Sequence, residues 1–380
     1  MKFFRTKLLP GILVCSSLLI AQQQKPGNGE TVIASDLDQR LARWRAVKMP
    51  LDSSRLSARE LRMIDKLVVA CHYLEDIFWR QSDPEGLELY KSLEKSKGDP
   101  KLRRLLFING SRFDLIDENK PFTGAEPMPV GRGLYPKNVT RRQLEDYVKR
   151  HPEKKAEIYS PYTVVKRQGD GFAGVPYHIE YQKWLQPAAA ALKDAAGLSG
   201  DPHFADFLRA RADALLTDDY FPSDLKWMDL EDPKVDLIYA PYETYLDGVL
   251  GVKTSYGASI LIRNEAESRK LAVFQKYVPD IQDALPLALH DRPSKRGLRT
   301  PMEVMDAPLR AGDLCHGYQA VADIHDRSLS RENEVLPTRA TEERANTITA
   351  EFSAAICAFS ARAPAFRRTR HPFAVSGHLR

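Results

Sequence analysis

The sequence predicts an α+β fold, mainly helical. Long segments carry apolar residues at helical spacing, and two of them open with capping boxes. Only a few short runs are rich in β-branched residues, so strands are the minority. The 380 residues leave room for two domains or one large one, at about 150 residues per domain. Hydrophobic residues make up 43% and charged residues 28%, which fits a globular protein and excludes a collagen-like, coiled-coil or wholly disordered chain. Only one stretch, near the N-terminus, is apolar enough to concern a membrane, so a polytopic membrane protein is excluded.

Residues 1–21 read as an export signal. Lys2, Arg5 and Lys7 form a basic start, and Leu8 to Ile20 is apolar except at Pro10, Gly11, Cys15, Ser16 and Ser17. Ala21 then precedes a polar stretch, and the apolar run is too short to span a bilayer comfortably. The chain is therefore expected to be exported, periplasmic or secreted. Val14 is not the small residue expected before a lipidated Cys15, so a lipoprotein or an uncleaved anchor is the second reading and a cytoplasmic protein the third.

Ser57-Ala-Arg-Glu60 caps a helix whose apolar face holds Leu61, Ile64, Leu67, Val68, Cys71, Leu74, Ile77 and Phe78. Cys71 on that face reads as a buried core thiol. Pro84 to Lys97 predicts a second helix, and Leu105 to Ile108 a short strand ending at the Asn109-Gly110 turn signal. Asn119 to Asn138 predicts a long loop. Thr140-Arg-Arg-Gln143 is the second capping box. Further helices are expected over Glu180 to Ala196, from Asp201-Pro202 onward, and from an Asn264/Glu267 cap through Tyr277. Tyr162 to Lys166, Val235 to Tyr239 and Ser259 to Ile262 are the remaining strand candidates.

Gly169-Asp-Gly171-Phe-Ala-Gly174 fits a dinucleotide fingerprint by letter. The Val175-Pro176 that follows disfavours the helix such a site needs, so a glycine-rich hairpin is expected instead. The net charge of +5 sits at the two ends, and the body from 22 to 326 sums to −2. A near-neutral body gives no footprint for nucleic acid, and none is expected as a partner. Four cysteines, none in C-x-x-C spacing, do not make a disulfide scaffold.

No G-x-S-x-G elbow and no Walker A sequence is present. No two of the nine histidines lie four or five apart, so neither spacing that puts two imidazoles on one helix face around zinc occurs. Cys315 and His316 are adjacent, and sequence neighbours rarely point at one metal, so no metal ligand is assigned. What remains is the segment after Val235 to Tyr239, with Glu243, Tyr245 and Asp247 at alternating positions. On a strand those three would share one face, able to hold a cation and donate a phenolic hydrogen bond. From the residues alone, an edge strand with ordinary polar residues is the preferred explanation of them.

Several segments resemble the bacterial branch of the dipeptidyl peptidase III family of zinc metallopeptidases. They are Ile77-Phe-Trp-Arg-Gln81, Asp114-Leu-Ile-Asp-Glu-Asn-Lys-Pro-Phe122, Gly133-Leu-Tyr-Pro136 and Ser160-Pro-Tyr-Thr-Val-Val165. Val175-Pro-Tyr177, Arg211-Ala-Asp-Ala-Leu-Leu-Thr-Asp-Asp-Tyr220, Ser223-Asp-Leu-Lys-Trp-Met-Asp229 and Pro241-Tyr-Glu-Thr-Tyr245 follow in the family's order. The resemblance covers roughly residues 35 to 322. It implies a mixed α/β substrate-binding lobe with a small barrel-like sheet over 28–263, a lobe change near Arg263-Asn264, and the start of a helical zinc lobe over 264–323. It implies removal of dipeptides from peptide N-termini, with the peptide lying in a cleft as an added strand. It assigns substrate binding, at the peptide's N-terminal ammonium, to Glu243 and oxyanion stabilisation to Tyr245.

The family's zinc helix lies further downstream, with H-E-x-x-H-type spacing, and this chain shows no such motif. The likeness stops after Gly317-Tyr-Gln-Ala-Val-Ala-Asp323. The tail 324–380 is rich in Arg without any Lys, as GC-rich DNA gives in a wrong frame, and a frameshift is the first reading of it. A naturally truncated paralogue and a natural tail are the alternatives. The expectation is a dipeptidyl-peptidase-type protein whose chain as written is inactive or truncated, zinc being the family's cofactor. A non-catalytic exported peptide-binding protein is the alternative.

Overall fold

A computed structural model describes residues 32–47, 53–275, 277–288, 303–316 and 334–337. The export-signal segment, and the tail after Asp323 apart from 334–337, lie outside the described residues. The chain begins with α1 (Leu37–Leu41), β1 (Trp44–Val47), α2 (Ala58–Ser82), α3 (Pro84–Ser96) and α4 (Pro100–Asn109). Two short strands, β2 (Phe113–Asp114) and β3 (Lys120–Pro121), precede α5 (Arg141–Arg150) and α6 (Lys155–Tyr159). The hairpin β4 (Thr163–Gln168) and β5 (Gly171–Pro176) leads to α7 (Tyr177–Glu180), α8 (Gln182–Leu198), α9 (Pro202–Ala214) and α10 (Phe221–Met228). Then come β6 (Val235–Glu243), β7 (Ser255–Arg263), α11 (Glu265–Gln275), α12 (Val278–Ala284), β8 (Met305–Gly312) and β9 (Glu334–Pro337). The fold is α+β and mainly helical.

Helix α2 organises the core. Ser57 Oγ accepts from the Glu60 backbone N–H while the Glu60 carboxylate accepts from the Ser57 N–H, so the expected capping box forms. The buried face runs through Met63, Ile64, Leu67, Cys71, Leu74, Ile77 and Phe78. Each large apolar side chain so buried contributes about 1.5–3 kcal/mol. Against this face pack α8 and the strands β7 and β8. Burial raises the Cys71 thiol well above its usual range, so it is an inert core residue.

The three-stranded antiparallel sheet has the order β6-β7-β8, with Tyr239 opposite Ala258 and Ala258 opposite Ala311. β7 is the central strand and is buried along nearly its whole length. β8 comes from the segment expected to open the helical lobe, yet it completes the sheet of the preceding lobe. β1 pairs with β9 antiparallel, Trp44 opposite Pro337 and Val47 opposite Glu334.

The glycine-rich run forms the expected hairpin: Gly169 takes a left-handed φ of 57° at the turn, and Val165 pairs with Gly174. The strand expected at Leu105 to Ile108 is instead the last part of α4. Asp99 Oδ1 accepts from the N–H groups of Lys101 and Leu102, Pro100 opens the helix, and left-handed Gly110 closes it. Those end signals outweigh the strand preference of a short apolar run. The helix expected through Tyr277 is two: Asn264 Oδ1 caps α11 through the Glu267 N–H, and a separate α12 begins at Val278. Pro279 has no N–H, which suits the first turn of a new helix and not the interior of an old one.

Candidate functional site

Glu243 is the last residue of β6, and a register shift between Pro241 and Glu243 bends the strand there. Across the ladder, Ser255 of β7 donates its hydroxyl to the Glu243 carbonyl at 3.1 Å. Tyr245 follows in a turn and is 73% exposed. Partial burial, then the charge of Glu243 two residues before it, raise its pKa. The phenol therefore stays a hydrogen-bond donor at neutral pH.

Asp247 does not share this face. It is buried in the following loop, where it accepts from Tyr135 Oη at 2.6 Å and from the N–H groups of Val249, Leu250, Val252 and Lys253 at 2.8–2.9 Å. Burial opposes its charge, but the Lys253 N–H, the Tyr135 hydroxyl and its other donors outweigh burial and lower its pKa. The alternating pattern misled because the strand ends at Glu243, so period-two facing no longer holds beyond it.

Asp313 enters the site unannounced by any motif. Gly312 turns the chain after β8 at a φ of 61°, and a Cβ there would run into the Tyr256 carbonyl. Asp313 N–H then donates to that carbonyl at 2.9 Å. Burial first, then the Glu243 charge, push the Asp313 carboxyl up to about 7, against the opposing pull of Ser255, His316 and Arg132. Arg132 is itself brought down to about 10 by burial, opposed by Asp83 and Asp313.

The segments that carry the sequence resemblance converge beneath this site. Gln81 of α2 donates to the Thr254 carbonyl and accepts from the Tyr256 N–H. Tyr177 Oη donates to the same Thr254 carbonyl at 2.8 Å, and Tyr220 Oη meets Tyr256 Oη at 3.0 Å. Lys253 is buried and donates all three ammonium hydrogens, to the Ile158 and Ser160 carbonyls and to Thr163 Oγ1, at 2.6–2.7 Å. Burial pulls its pKa down to about 7 while Asp247 opposes. Thr163 Oγ1 spends its own hydrogen on the Glu157 carbonyl, so it can only accept from Lys253; three accepting partners hold Lys253 as the ammonium. Arg211 is fully buried beside Phe207, Tyr220 and Tyr242, and pairs with Asp224, which also accepts from Tyr242 Oη. That network fixes the residue directly before Glu243.

Cys315 and His316 do converge, with Glu75, although adjacency in sequence argued against it. The turn closed by the Cys315 N–H on the Gly312 carbonyl brings both to one place in the core. His316 Nδ1 faces the Phe107 carbonyl at 2.6 Å and so carries a proton, and Nε2 faces Glu75 Oε1 at 2.6 Å. Glu75 also accepts from Trp79 Nε1 and from the Gly312 N–H. Both ring nitrogens and both carboxylate oxygens thus have partners within the protein, in a buried cluster.

The same architecture occurs in two solved structures. Dipeptidyl peptidase III from Caldithrix abyssi matches with a TM-score of 0.70 and 31% identity, covering 81% of this chain and 60% of that one. Its counterpart from Corallococcus sp. strain EGB matches with a TM-score of 0.67 and 30% identity, covering 83% and 60%. The chain resembles the N-terminal part of bacterial dipeptidyl peptidase III. It spans 60% of the length of each of these dipeptidyl peptidase III structures. A protein of Arabidopsis thaliana described as Nudix hydrolase 3 is 24% identical over 359 aligned positions, covering 80% of this chain and 46% of that protein. No protein-family model matches the chain.

Proposed function

We propose that this chain is the peptide-binding part of a zinc-dependent dipeptidyl-peptidase-type hydrolase. An extended peptide lies along β6, whose outer edge has no strand partner among the described residues, and pairs with it through main-chain hydrogen bonds. Glu243 holds the peptide's N-terminal ammonium by charge-assisted hydrogen bonds. Tyr245 donates its phenolic hydrogen to the oxyanion that develops at the scissile carbonyl. The observation that carries this reading is the Glu243–Tyr245 pair at the open end of β6, on a scaffold shared with dipeptidyl peptidase III.

Hydrolysis also needs an activated water, and the sequence has no H-E-x-x-H-type pair to provide for it. The chain as it stands is therefore expected to bind short peptides without cleaving them. The test uses the purified full chain with a fluorescent tetrapeptide, read by anisotropy and by release of a dipeptide, with and without added zinc. Binding without cleavage supports the reading, and zinc-dependent release of dipeptides refutes the inactivity. No binding to wild type refutes the whole.

A second reading is a non-catalytic exported peptide-binding protein. The hydrogen bonds that Glu75 and His316 make within the core are consistent with a structural use of these residues. Peptide affinity unchanged by chelators would support it. The nucleotide-hydrolase reading suggested by the plant relative's name lacks an Arg-Glu-x-x-Glu-Glu helix in this sequence. Export rests on the basic and apolar pattern of residues 1–21, and cell fractionation that finds the intact N-terminus in the cytoplasm would overturn it. The out-of-frame reading of the tail after Asp323 is checked by resequencing the encoding DNA and translating every frame for an H-E-x-x-H-type motif.

A further inference from the structure

One helix and one turn bring three ligand-type side chains together in the core. The Glu75 carboxylate of α2, and the Cys315 thiol and His316 imidazole of the turn after β8, have their ligand atoms within 4.8 Å of one another, and all three residues are buried. Proton placement at His316 decides what the cluster can hold. The Phe107 carbonyl can only accept, so Nδ1, 2.6 Å away, carries a hydrogen. A neutral ring then turns the lone pair of Nε2 toward Glu75 Oε1, at 2.6 Å. Two acceptors that close repel unless a positive charge lies between them. A proton there serves His316 and Glu75 alone. A divalent ion also serves Cys315, and one carboxylate, one thiolate and a neutral imidazole cancel its charge, as a buried position requires.

The surroundings of the three are those that orient metal ligands. A ligating imidazole donates its other N–H to a carbonyl, as His316 does to Phe107, and a ligating carboxylate is itself hydrogen-bonded. Glu75 Oε1 accepts from Trp79 Nε1 at 2.8 Å, and Oε2 from the Gly312 N–H at 2.6 Å. The rings of Phe78, Trp79 and Phe107 surround the imidazole. A set of one nitrogen, one sulfur and one oxygen suits zinc or cobalt, not calcium or magnesium. Zinc bonds of about 2.0–2.3 Å set ligand atoms roughly 3.3–3.6 Å apart, so the Nε2–Oε1 separation has to open by about 1 Å, a small turn of the Glu75 side chain.

We propose that Glu75, Cys315 and His316 bind one zinc ion, which staples the turn after β8 to the middle of α2. Binding releases the thiol proton, and the Nε2 proton where the ring carries one, to solvent. Three protein ligands leave one coordination position for a fourth donor. The ion is structural and separate from the zinc that an H-E-x-x-H-type motif holds for catalysis, so this inference does not rest on the peptide-binding reading.

The test uses the full chain produced in cobalt-supplemented medium and dialysed against metal-free buffer, read by metal content and by near-ultraviolet absorption. Wild type is expected to keep about one cobalt per chain and to show a thiolate-to-cobalt charge-transfer band. Cys315→Ser should lose the band and most of the metal, whereas Cys357→Ser, which removes a thiol outside the described residues, should keep both. Should Cys315→Ser fail to fold, X-ray absorption of the zinc-loaded wild type takes its place, with one sulfur expected at about 2.3 Å. Wild type that retains no metal overturns the site and leaves a proton between His316 and Glu75. Metal without a sulfur ligand, or a band that survives in Cys315→Ser or vanishes in Cys357→Ser, places the ion elsewhere and overturns it equally.

Discussion

His316 Nε2 lies 2.6 Å from Glu75 Oε1, which ties the turn after β8 to the middle of α2. The two residues are far apart in sequence, and both are buried. Phe78 stacks on the same imidazole at a centroid distance of 5.1 Å, and Trp79 meets it edge-on at 5.8 Å. This pair therefore anchors the strand end that carries Asp313. Replacing Glu75 by Ala strips partners from His316, Trp79 and the Gly312 N–H in one step. The expected loss of stability is about 2–4 kcal/mol, because several buried donors lose their acceptor together. Urea denaturation of the variant measures it, and a loss below about 1 kcal/mol would show that the cluster is not the anchor described here.

Asp247 does the same work for the loop that follows Tyr245. It closes the segment 247–253 by accepting four backbone N–H groups and the Tyr135 hydroxyl. Asp247→Ala is expected to cost about 2–4 kcal/mol, because several buried donors lose a charged acceptor together. Peptide affinity should fall as well, since Tyr245 sits at the entrance of that loop. Thermal melting and the anisotropy assay read the two effects, and an unchanged affinity in a folded Asp247→Ala protein would separate the loop from the site.

The parts of this fold that were legible in the sequence are those whose physics is local. The two capping boxes, at Ser57/Glu60 and Thr140/Gln143, place helix starts because each is complete within four residues. The hairpin at Gly169 and the buried face around Cys71 follow from turn chemistry and periodicity in the same way. Glu243 and Tyr245 stood out by their alternating spacing and by the family likeness, and they lie at the end of β6 and in the turn that follows it. Asp313, the Glu75–His316 pair and the role of Asp247 were not legible. Each depends on β8 pairing with β7 across an intervening helical segment, or on where β6 stops, and no spacing in one sequence encodes that. The helix at Leu105 to Ile108 was not legible from its apolar run, which fits either period; Asp99 and Gly110, which flank the 10 residues of the helix at its start and its end, are what mark it.

The raised pKa of Asp313 makes stability depend on pH with a definite sign. In the unfolded chain its carboxyl loses its proton near the usual 3.8, whereas in the folded chain it holds the proton up to about 7. Between those values the folded state carries about one extra proton, so this group's contribution to stability falls as the pH rises. Asp313→Asn removes that slope. Urea unfolding of wild type and variant at several pH values between those limits is the check, and parallel curves for the two proteins would contradict the assignment of the shift to Asp313.

Val273, Phe274, Tyr277, Ile281, Leu285 and Leu287, in and beside the helices α11 and α12, are exposed to solvent, Phe274 61% and Ile281 57%. Several large apolar side chains exposed within one short segment promote association, because covering them removes apolar area from water. The described chain is accordingly expected to self-associate or bind a hydrophobic dye strongly. Phe274→Lys combined with Ile281→Glu should raise the soluble, monomeric fraction while leaving thermal stability nearly unchanged, since exposed positions away from buried features shift it by less than about 0.5 kcal/mol each. Light scattering of the two proteins at equal concentration decides the point. A double variant that melts well below wild type would mean that these side chains pack against part of the same chain and are not an open face.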